Sequence, residues 1–576
     1  MKLQELASAD RPLDYQKLVF DYQPHPDQQA ATPARHPVVV VGAGPVGLAL
    51  AIDLAQQQQP VVLLDNDHRL STGSRAICFS KRSLEIFDRL GCGEAMAAKG
   101  VSWKVGRVFL RGEEVYRFDL LPEDGHARPA FVNLQQYYVE GFLAERAAAL
   151  PGIDVRWQNR VTGVEQKGDH ALLTIETPDG PYQLQADWVA ACDGSRSAMR
   201  QLLGQESHGR QFRDRFLIAD VKIHFPAESA PGRPQPDESP LGGQRGHEVP
   251  SVGAAERWFW FDPDFHRHQS VLLHRQPDGV WRIDFQLGWD ADPEVEKRPE
   301  NVMPRVRALL DASPFKGAEA TLEWASVYTF ACQRMDSFRH GRVLFAGDSA
   351  HGVSPFGARG ANSGLQDAEN LAWKLAAVLR RQAPDALLDS YAREREMAAD
   401  ENILNSTRAT DFITPKSEIS RLFRDAVLQL ARRHEFARRL VNSGRLSVPA
   451  TLHGSALNTD DTDGFAGRMA PGAVAADAPV AGGWLLQRLA RTQFAALVFG
   501  DGEGAQASLR ALAAAELPLQ VERLPLDAAH ALAVARYDAQ DGTTYLLRPD
   551  QHVCARWRSP TAAALRAAHA RALART

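Results

Sequence analysis

The sequence predicts an α/β fold: a parallel sheet interrupted by a second, inserted sheet and followed by a further α/β unit. Three observations carry that expectation. Residues 37–64 read as an apolar strand, a glycine-broken turn, a helix and another apolar strand. Residues 342–375 repeat the order of strand, glycine loop and helix far downstream. The stretch between them holds alternating, aromatic-heavy runs such as RWFWF and VWRIDFQLGW, a period that suits strands.

Composition bounds the function classes. At 576 residues the chain exceeds one core, and about three domains of ~100–200 residues are expected. It is 44% hydrophobic and 24% charged, an ordinary globular balance. The net charge, 66 − 71 = −5, comes without a long basic run, so neither nucleic acid nor a membrane surface recommends itself as a partner. Cys78, Cys92, Cys192, Cys332 and Cys554 are scattered without CxxC or metal spacing, which predicts a reducing, cytoplasmic setting, no disulfide framework and no metal site. No 18-residue apolar window predicts a membrane span, and the first 29 residues lack a signal-like apolar core.

Taken in order, residues 1–36 read as a polar N-terminal extension, linker-like from Tyr22 onward. Four valines, Val38–Val41, make a strand apolar on both faces, as a buried parallel strand must be. Gly42, Gly44 and Gly47 then form G-x-G-x-x-G, with Pro45 in the same turn, and Ala49, Leu50, Ile52, Leu54 and Ala55 carry a helix. Val61–Leu64 make a second strand, ending in Asp65, 23 residues after Gly42. That context turns a weak glycine motif into a Rossmann-like dinucleotide site. Gly42 permits the tight turn, Gly44 admits a pyrophosphate, and Gly47 lets helix and strand pack closely. The phosphates rest on the positive helix end, and Asp65 accepts hydrogen bonds from the ribose hydroxyls. An acid there repels a 2′-phosphate, which leaves FAD or NAD.

The downstream stretch, GDSAHGVSPFGARGANSGLQDAENLAWKL (Gly347–Leu375), favours FAD, whose ribityl chain and ring extend past the first nucleotide unit. Asp348 can hydrogen-bond ribityl or pyrophosphate-proximal groups. Gly357 and Gly360 let the loop backbone approach a ring without a Cβ in the way. A helix beginning near Asn362 directs its N-terminal N–H groups at the same place, an end suited to the N1–C2=O edge of a reduced flavin. Pro355, Ala361 and Asn362 belong to this candidate cofactor contact.

The pairing of GAGPVG with this stretch resembles the single-component FAD-dependent aromatic hydroxylases, the p-hydroxybenzoate hydroxylase and phenol hydroxylase group. A third segment, AACDGSRSAMR (Ala190–Arg200), is similar to that family's Asp-Gly fingerprint through Asp193, Gly194, Ser197 and Arg200. The resemblance spans roughly residues 37–400. It implies that the Asp193 segment supports the FAD pyrophosphate and the transient docking of NAD(P)H. It also implies that Arg75 lies over the ribityl and phosphate region and that Gln136, four residues before Glu140, contacts FAD. His351 is expected to close the loop by hydrogen bonding. Ser349 and Ser354 depart from the commoner alanine and proline.

The organisation follows: an FAD-binding domain at 37–204 and 328–400, a substrate-covering β-sheet domain at 205–327 with a surface loop at Pro231–Gly246, and a helical connection at 401–457. Residues 465–576 resemble the thioredoxin-like appendix of the 3-(3-hydroxyphenyl)propionate hydroxylase branch, without CxxC and hence without thiol redox chemistry. The resemblance implies tightly bound FAD, NAD(P)H as transient co-substrate, and O2. Oxygen then passes from a flavin C4a-hydroperoxide to a phenolic or related aromatic substrate. The chain has no second Rossmann fingerprint for NAD(P)H, which agrees with transient docking. A homodimer is possible. The catalytic residue stays unassigned, with Tyr328, Tyr138, His266 and His268 open as proton acceptors. Also open are an FAD oxidoreductase without oxygen insertion and a monooxygenase acting by epoxidation or Baeyer–Villiger insertion. Halogenation is disfavoured by the lack of a W-x-W-x-I pattern.

Overall fold

The computed structural model of the chain describes residues 14–225, 255–441 and 446–575. The expected surface loop at Pro231–Gly246 lies outside them. The main sheet has eight strands, with Arg339–His340, Val343–Phe345, Gly180–Ala191, Ala34–Val41, Val61–Leu64 and Ile153–Arg156 side by side in that order. The valine strand sits inside it, parallel to both neighbours, and its four valines are buried whichever face they point to. Helix Pro45–Gln56 packs against helices Gly360–Leu379 and Gln136–Ala148.

The N-terminal segment is docked. Phe20 is buried and stacks on Trp157 with ring centroids 4.3 Å apart. The Tyr15 hydroxyl donates to Glu145 at 2.5 Å, and that of Tyr22 to Thr177 at 3.1 Å. The first strand starts at Ala34, before Pro37. The linker reading from Tyr22 is therefore corrected: a few aromatic anchors hold an otherwise polar stretch against the sheet.

The second sheet has seven strands, in the order Glu319–Tyr328, Arg215–His224, Val280–Leu287, Ser270–Arg275, Arg257–Phe261, Val105–Leu110 and Glu113–Asp119. The last two come from outside the expected span of 205–327. Val105–Leu110 pairs in parallel with Arg257–Phe261. Conversely, Ser207–Gln211 leaves this sheet and pairs with Ala331–Met335. Side chains alternate between the two faces. Ala219, Val221, Ile283, Phe285, Leu273 and Trp258 form an apolar face, which packs with Val302, Val306 and Leu309 of helix Pro299–Asp311. The opposite face carries Asp220, Arg282, His274 and Arg257, in register across four strands, with Asp284 and Tyr328 on the same face.

Helix Leu387–Ile413 runs through the expected boundary at residue 400, and Glu418–Ala431 and Glu435–Val441 follow. The C-terminal sheet has the order Leu519–Leu524, Phe494–Phe499, Thr544–Leu547, Val553–Trp557, with helices Glu503–Ala515 and Ala562–Ala572. A buried ionic lattice joins it to the main sheet's helices. Arg548 donates to Glu394 at 2.7 Å and to Asp550 at 2.6 Å, and Arg82 donates to Glu369 at 2.6 Å and to the Asp550 carbonyl at 2.9 Å. Among the described residues no helix is long and apolar enough to cross a membrane.

Candidate active site

Parallel pairing sets the site. Val41 lies beside Leu64 and Ala191, and Ala191 beside Phe345, so four strands end together. Just beyond those ends sit Gly42, Asp65, Asp193 and Gly347-Asp348, brought from four parts of the chain to the carboxyl edge, where open α/β sheets bind ligands.

The glycines are there for steric reasons. A Cβ on Gly47 would stand 1.9 Å from the Gly42 carbonyl oxygen, and one on Gly42 would stand 2.5 Å from that of Cys192. Gly42 also has φ +105°. A Cβ on Gly44 would meet nothing within 4 Å. It would project into a cradle above the start of helix Pro45–Gln56, which no side chain caps. The Gly360–Leu379 helix likewise starts without a side-chain cap. Two helix N-termini thus offer N–H groups and partial positive charge to one cleft. Asp348 on its wall is exposed by surface area yet surrounded by protein, as befits a group lining a narrow space. Burial pushes its carboxyl pKa up, opposed by the charges of His351 and Arg75.

The other predicted residues divide by what their side chains are free to do. The Asp65 carboxylate accepts from Ala43 N at 2.6 Å and from Asp67 N at 2.7 Å, which shapes the glycine turn. Asp193 accepts from Ser197 Oγ at 2.6 Å and from Met199 N at 2.9 Å, fixing the Asp-Gly segment. Arg200 in that segment donates to the Ser349 carbonyl at 2.8 Å. Gln136 accepts from Ala76 N at 3.2 Å and donates to Glu140 at 2.8 Å, so it braces the Arg75 loop; the Arg75 side chain is exposed. Asn362 is turned inward, accepting from Ser80 N and Ser83 Oγ and donating to the Cys78 carbonyl. Only its backbone N–H, in the first helical turn, is left for a ligand. Pro355 is exposed, Gly357 has φ +99°, Gly360 and Ala361 are half-buried, and a Cβ on Gly360 would lie 3.9 Å from Asp348 Oδ1.

His351 closes the loop, as expected. Its Nε2 lies 2.7 Å from Asp367, which also accepts from Arg395 Nε at 2.6 Å and from Gly347 N at 2.9 Å. His351 and Arg395 hold the Asp367 carboxyl down at about 2, against the opposing effect of burial.

The polar face of the second sheet closes over this region. Arg282 grips Asp220 through two hydrogen bonds of 2.8 Å and also donates to the Ser74 and Arg75 carbonyls of the flanking loop. Phe356 meets Phe216 edge-on at 4.9 Å. His274 Nδ1 lies 3.9 Å from Cys78 Sγ, and its Nε2 lies 3.6 Å from Asp284. Burial pushes Asp284 up to about 6 and raises Tyr328 well above its ordinary value. Of the four open proton acceptors only Tyr328 is on this face. Tyr138 donates to Asp278 at 2.7 Å, His266 Nε2 is 2.6 Å from the Gln286 carbonyl, and His268 is largely exposed. Arg257, His274 and Asp284 were missed by the sequence reading. Their alternation within the aromatic strands was the available signal.

The family model described as "FAD binding domain" matches residues 35–406. The chain belongs to this FAD-binding family. A 3-(3-hydroxy-phenyl)propionate/3-hydroxycinnamic acid hydroxylase of Mycolicibacterium smegmatis is 30% identical over 398 residues, which cover 69% of this chain and 65% of that protein. A para-nitrophenol 4-monooxygenase of a Pseudomonas species is 31% identical over 372 residues, covering 62% of this chain and 82% of the relative. The crystal structure of the flavin-dependent monooxygenase PieE with FAD and substrate superposes on 95% of this chain and all of its own, with TM-score 0.74 at 20% identity, a likeness of fold. For an FAD-binding chain, the uncapped helix ends and the open cradle at Gly44 fit the pyrophosphate, and Asp348 fits the chain that leads to the ring.

Proposed function

We propose that the protein is an FAD-dependent monooxygenase that uses NAD(P)H and O2 to hydroxylate a phenolic or related aromatic substrate. One observation carries the reading: two uncapped helix starts and Asp348 line a single cleft, and a polar, aromatic-bearing sheet face lies over it. The relatives' printed activities on hydroxyphenyl and nitrophenol compounds support the substrate class.

Gly42, Gly44, Pro45 and Gly47 would hold the pyrophosphate at the Pro45 helix, and Asp65 the adenosine ribose. Arg75, Gln136 and Asp193 would frame the middle of the cofactor, with Asp348 on the ribityl chain. Gly347, Pro355, Gly357, Gly360, Ala361 and Asn362 would offer backbone to the ring. When bound, FAD supplies the redox chemistry that joins NAD(P)H oxidation to O2. The chain's own work is to position and to exclude water, which strengthens every polar contact inside. Arg282 and Asp220 latch the covering sheet onto the Ser74–Arg75 backbone, fixing the substrate wall. Asp284, its carboxyl pushed up to about 6 by burial, and Tyr328 stand where a ring hydroxyl can exchange a proton.

We read residues 37–204 with 328–400, without strands Val105–Leu110 and Glu113–Asp119, as the FAD-binding domain and the second sheet as the substrate domain. The C-terminal sheet is read as a thioredoxin-like structural unit, with its only cysteine, Cys554, buried. The five free cysteines support a cytoplasmic setting. The test is NAD(P)H oxidation by the flavin-loaded protein in isotopically heavy O2. The reading expects oxidation to accelerate with a phenol and the product to carry one heavy oxygen atom. Oxidation that yields only H2O2 with every phenol, indole and heteroaromatic compound offered would instead support an oxidoreductase without oxygen insertion.

A further inference from the structure

Among the described residues, the polar face over the cleft contains one cation whose role the structure does not otherwise use. Arg257 is only 8% exposed. Its Nε is sealed from solvent without a hydrogen-bond partner, and among the described residues no acid lies within ion-pair distance of its guanidinium. Its neighbours on the sheet differ. Arg282 is locked to Asp220, and Arg107 on the adjoining strand is locked to Glu114 and Glu256. A buried guanidinium is ordinarily paired, because an uncompensated charge in a low-dielectric setting is costly. The nearest candidate counterion, Asp284, is turned to His274. Burial lowers the Arg257 pKa, with Cys78, Asp284 and Tyr328 opposing that shift from a distance.

Position ties this cation to the cleft. Arg257 is in register with His274, whose ring reaches Cys78, and the Cys78 carbonyl is held by Asn362 at the start of the Gly360 helix. The guanidinium lies 5.9 Å over the Trp103 ring, so an aromatic surface adjoins it. We infer that Arg257 is a specificity-determining residue that receives an anionic oxygen of the aromatic substrate. That oxygen is either a carboxylate carried on the ring or the ring's own phenolate. The inference rests on the aromatic-hydroxylase reading and narrows its substrate class to aromatic anions. The planar fork of arginine suits a two-oxygen carboxylate, and its compensation on binding explains why the charge is kept unpaired.

The experiment is an equilibrium titration of the FAD-loaded protein, read from the flavin absorption band and tryptophan fluorescence. The probes are 3-(3-hydroxyphenyl)propionate, its methyl ester and 4-nitrophenol across its ionisation. For a ring carboxylate, the acid should bind about 10- to 100-fold tighter than the ester. Arg257→Gln should bring that ratio close to one and leave ester affinity and flavin content unchanged, and Arg257→Lys should restore part of it. For a phenolate, acid and ester should bind alike, whereas 4-nitrophenol should tighten as it ionises in the wild type and not in Arg257→Gln. Wild-type protein that holds FAD but shows neither preference overturns the inference, as does either preference surviving in Arg257→Gln. Protein that takes up no FAD instead overturns the reading beneath it. Should Arg257→Gln fail to fold, the wild-type comparisons and Arg257→Lys decide.

Discussion

Gly44 and Gly47 stand three residues apart and should fail in different ways. Alanine at Gly47 places a Cβ 1.9 Å from the Gly42 carbonyl, so the turn must shift, at a cost of about 1–3 kcal/mol seen as a lower melting temperature even without cofactor. Alanine at Gly44 meets nothing, so the apoprotein should melt as the wild type does while FAD affinity falls at least about tenfold, the scale of one lost charge-assisted hydrogen bond. Replacing Asp348 with alanine should give protein purified with little flavin; fully yellow protein with normal turnover would show that this acid is misassigned. Asp367 supplies a pH signature. Its folded pKa, about 2, lies below the ordinary 3.8, so its contribution is complete above about pH 4 and is lost as pH falls through about 2. The loss is about 2 kcal/mol. Because Asp367 holds Gly347 N, flavin fluorescence should rise over that acid range, and Asp367→Asn should release flavin already at neutral pH. The glycines and acids at strand ends were legible because their constraints are local and steric. The inward turn of Asn362 was not, since it depends on Ser80 and Ser83 far away in sequence.

At the scale of elements, the Gly360–Leu379 helix matters twice. Its start faces the cleft, and along its length Glu369, Asn370, Trp373 and Lys374 bind the ionic lattice that reaches Asp550 and Glu394. Arg548→Ala leaves those two buried carboxylates without their main partner and should cost about 3–5 kcal/mol, with weaker flavin retention as the helix loosens. Arg439→Ala, which breaks an exposed pair, should leave the melting temperature unchanged. Calorimetry on both variants checks the contrast. Strand, turn and helix around Gly42 were readable from pattern because neighbours in sequence are neighbours in space. Strands Val105–Leu110 and Glu113–Asp119 were not assigned to the second sheet, since a strand's own pattern carries no information about which distant strand it will pair with. The row of Arg282, His274 and Arg257 was hidden for the same reason: three strands contribute one residue each.

Across the whole molecule, two sheets meet at one cleft and a third braces a helix that lines it. The main sheet supplies the strand ends. The second sheet clamps the flanking loop through Arg282 and through Trp324, whose indole packs so closely on Gly73 that a Cβ there would approach within 2.3 Å. The C-terminal sheet anchors the helix that completes the cleft. Arg282→Ala should therefore slow aromatic turnover more than it lowers FAD content, because it frees the covering wall while leaving the glycine turn intact; paired measurements of flavin occupancy and kcat check this. The most direct measurement of the central claim is the visible absorption of the purified chain, before and after incubation with FAD and removal of the excess. One equivalent of FAD retained by the wild type, lost in Asp348→Ala and held at least about tenfold more weakly in Gly44→Ala, is the predicted result. A colourless wild-type protein that takes up no FAD, or two variants that keep it as tightly as the wild type, would contradict the account.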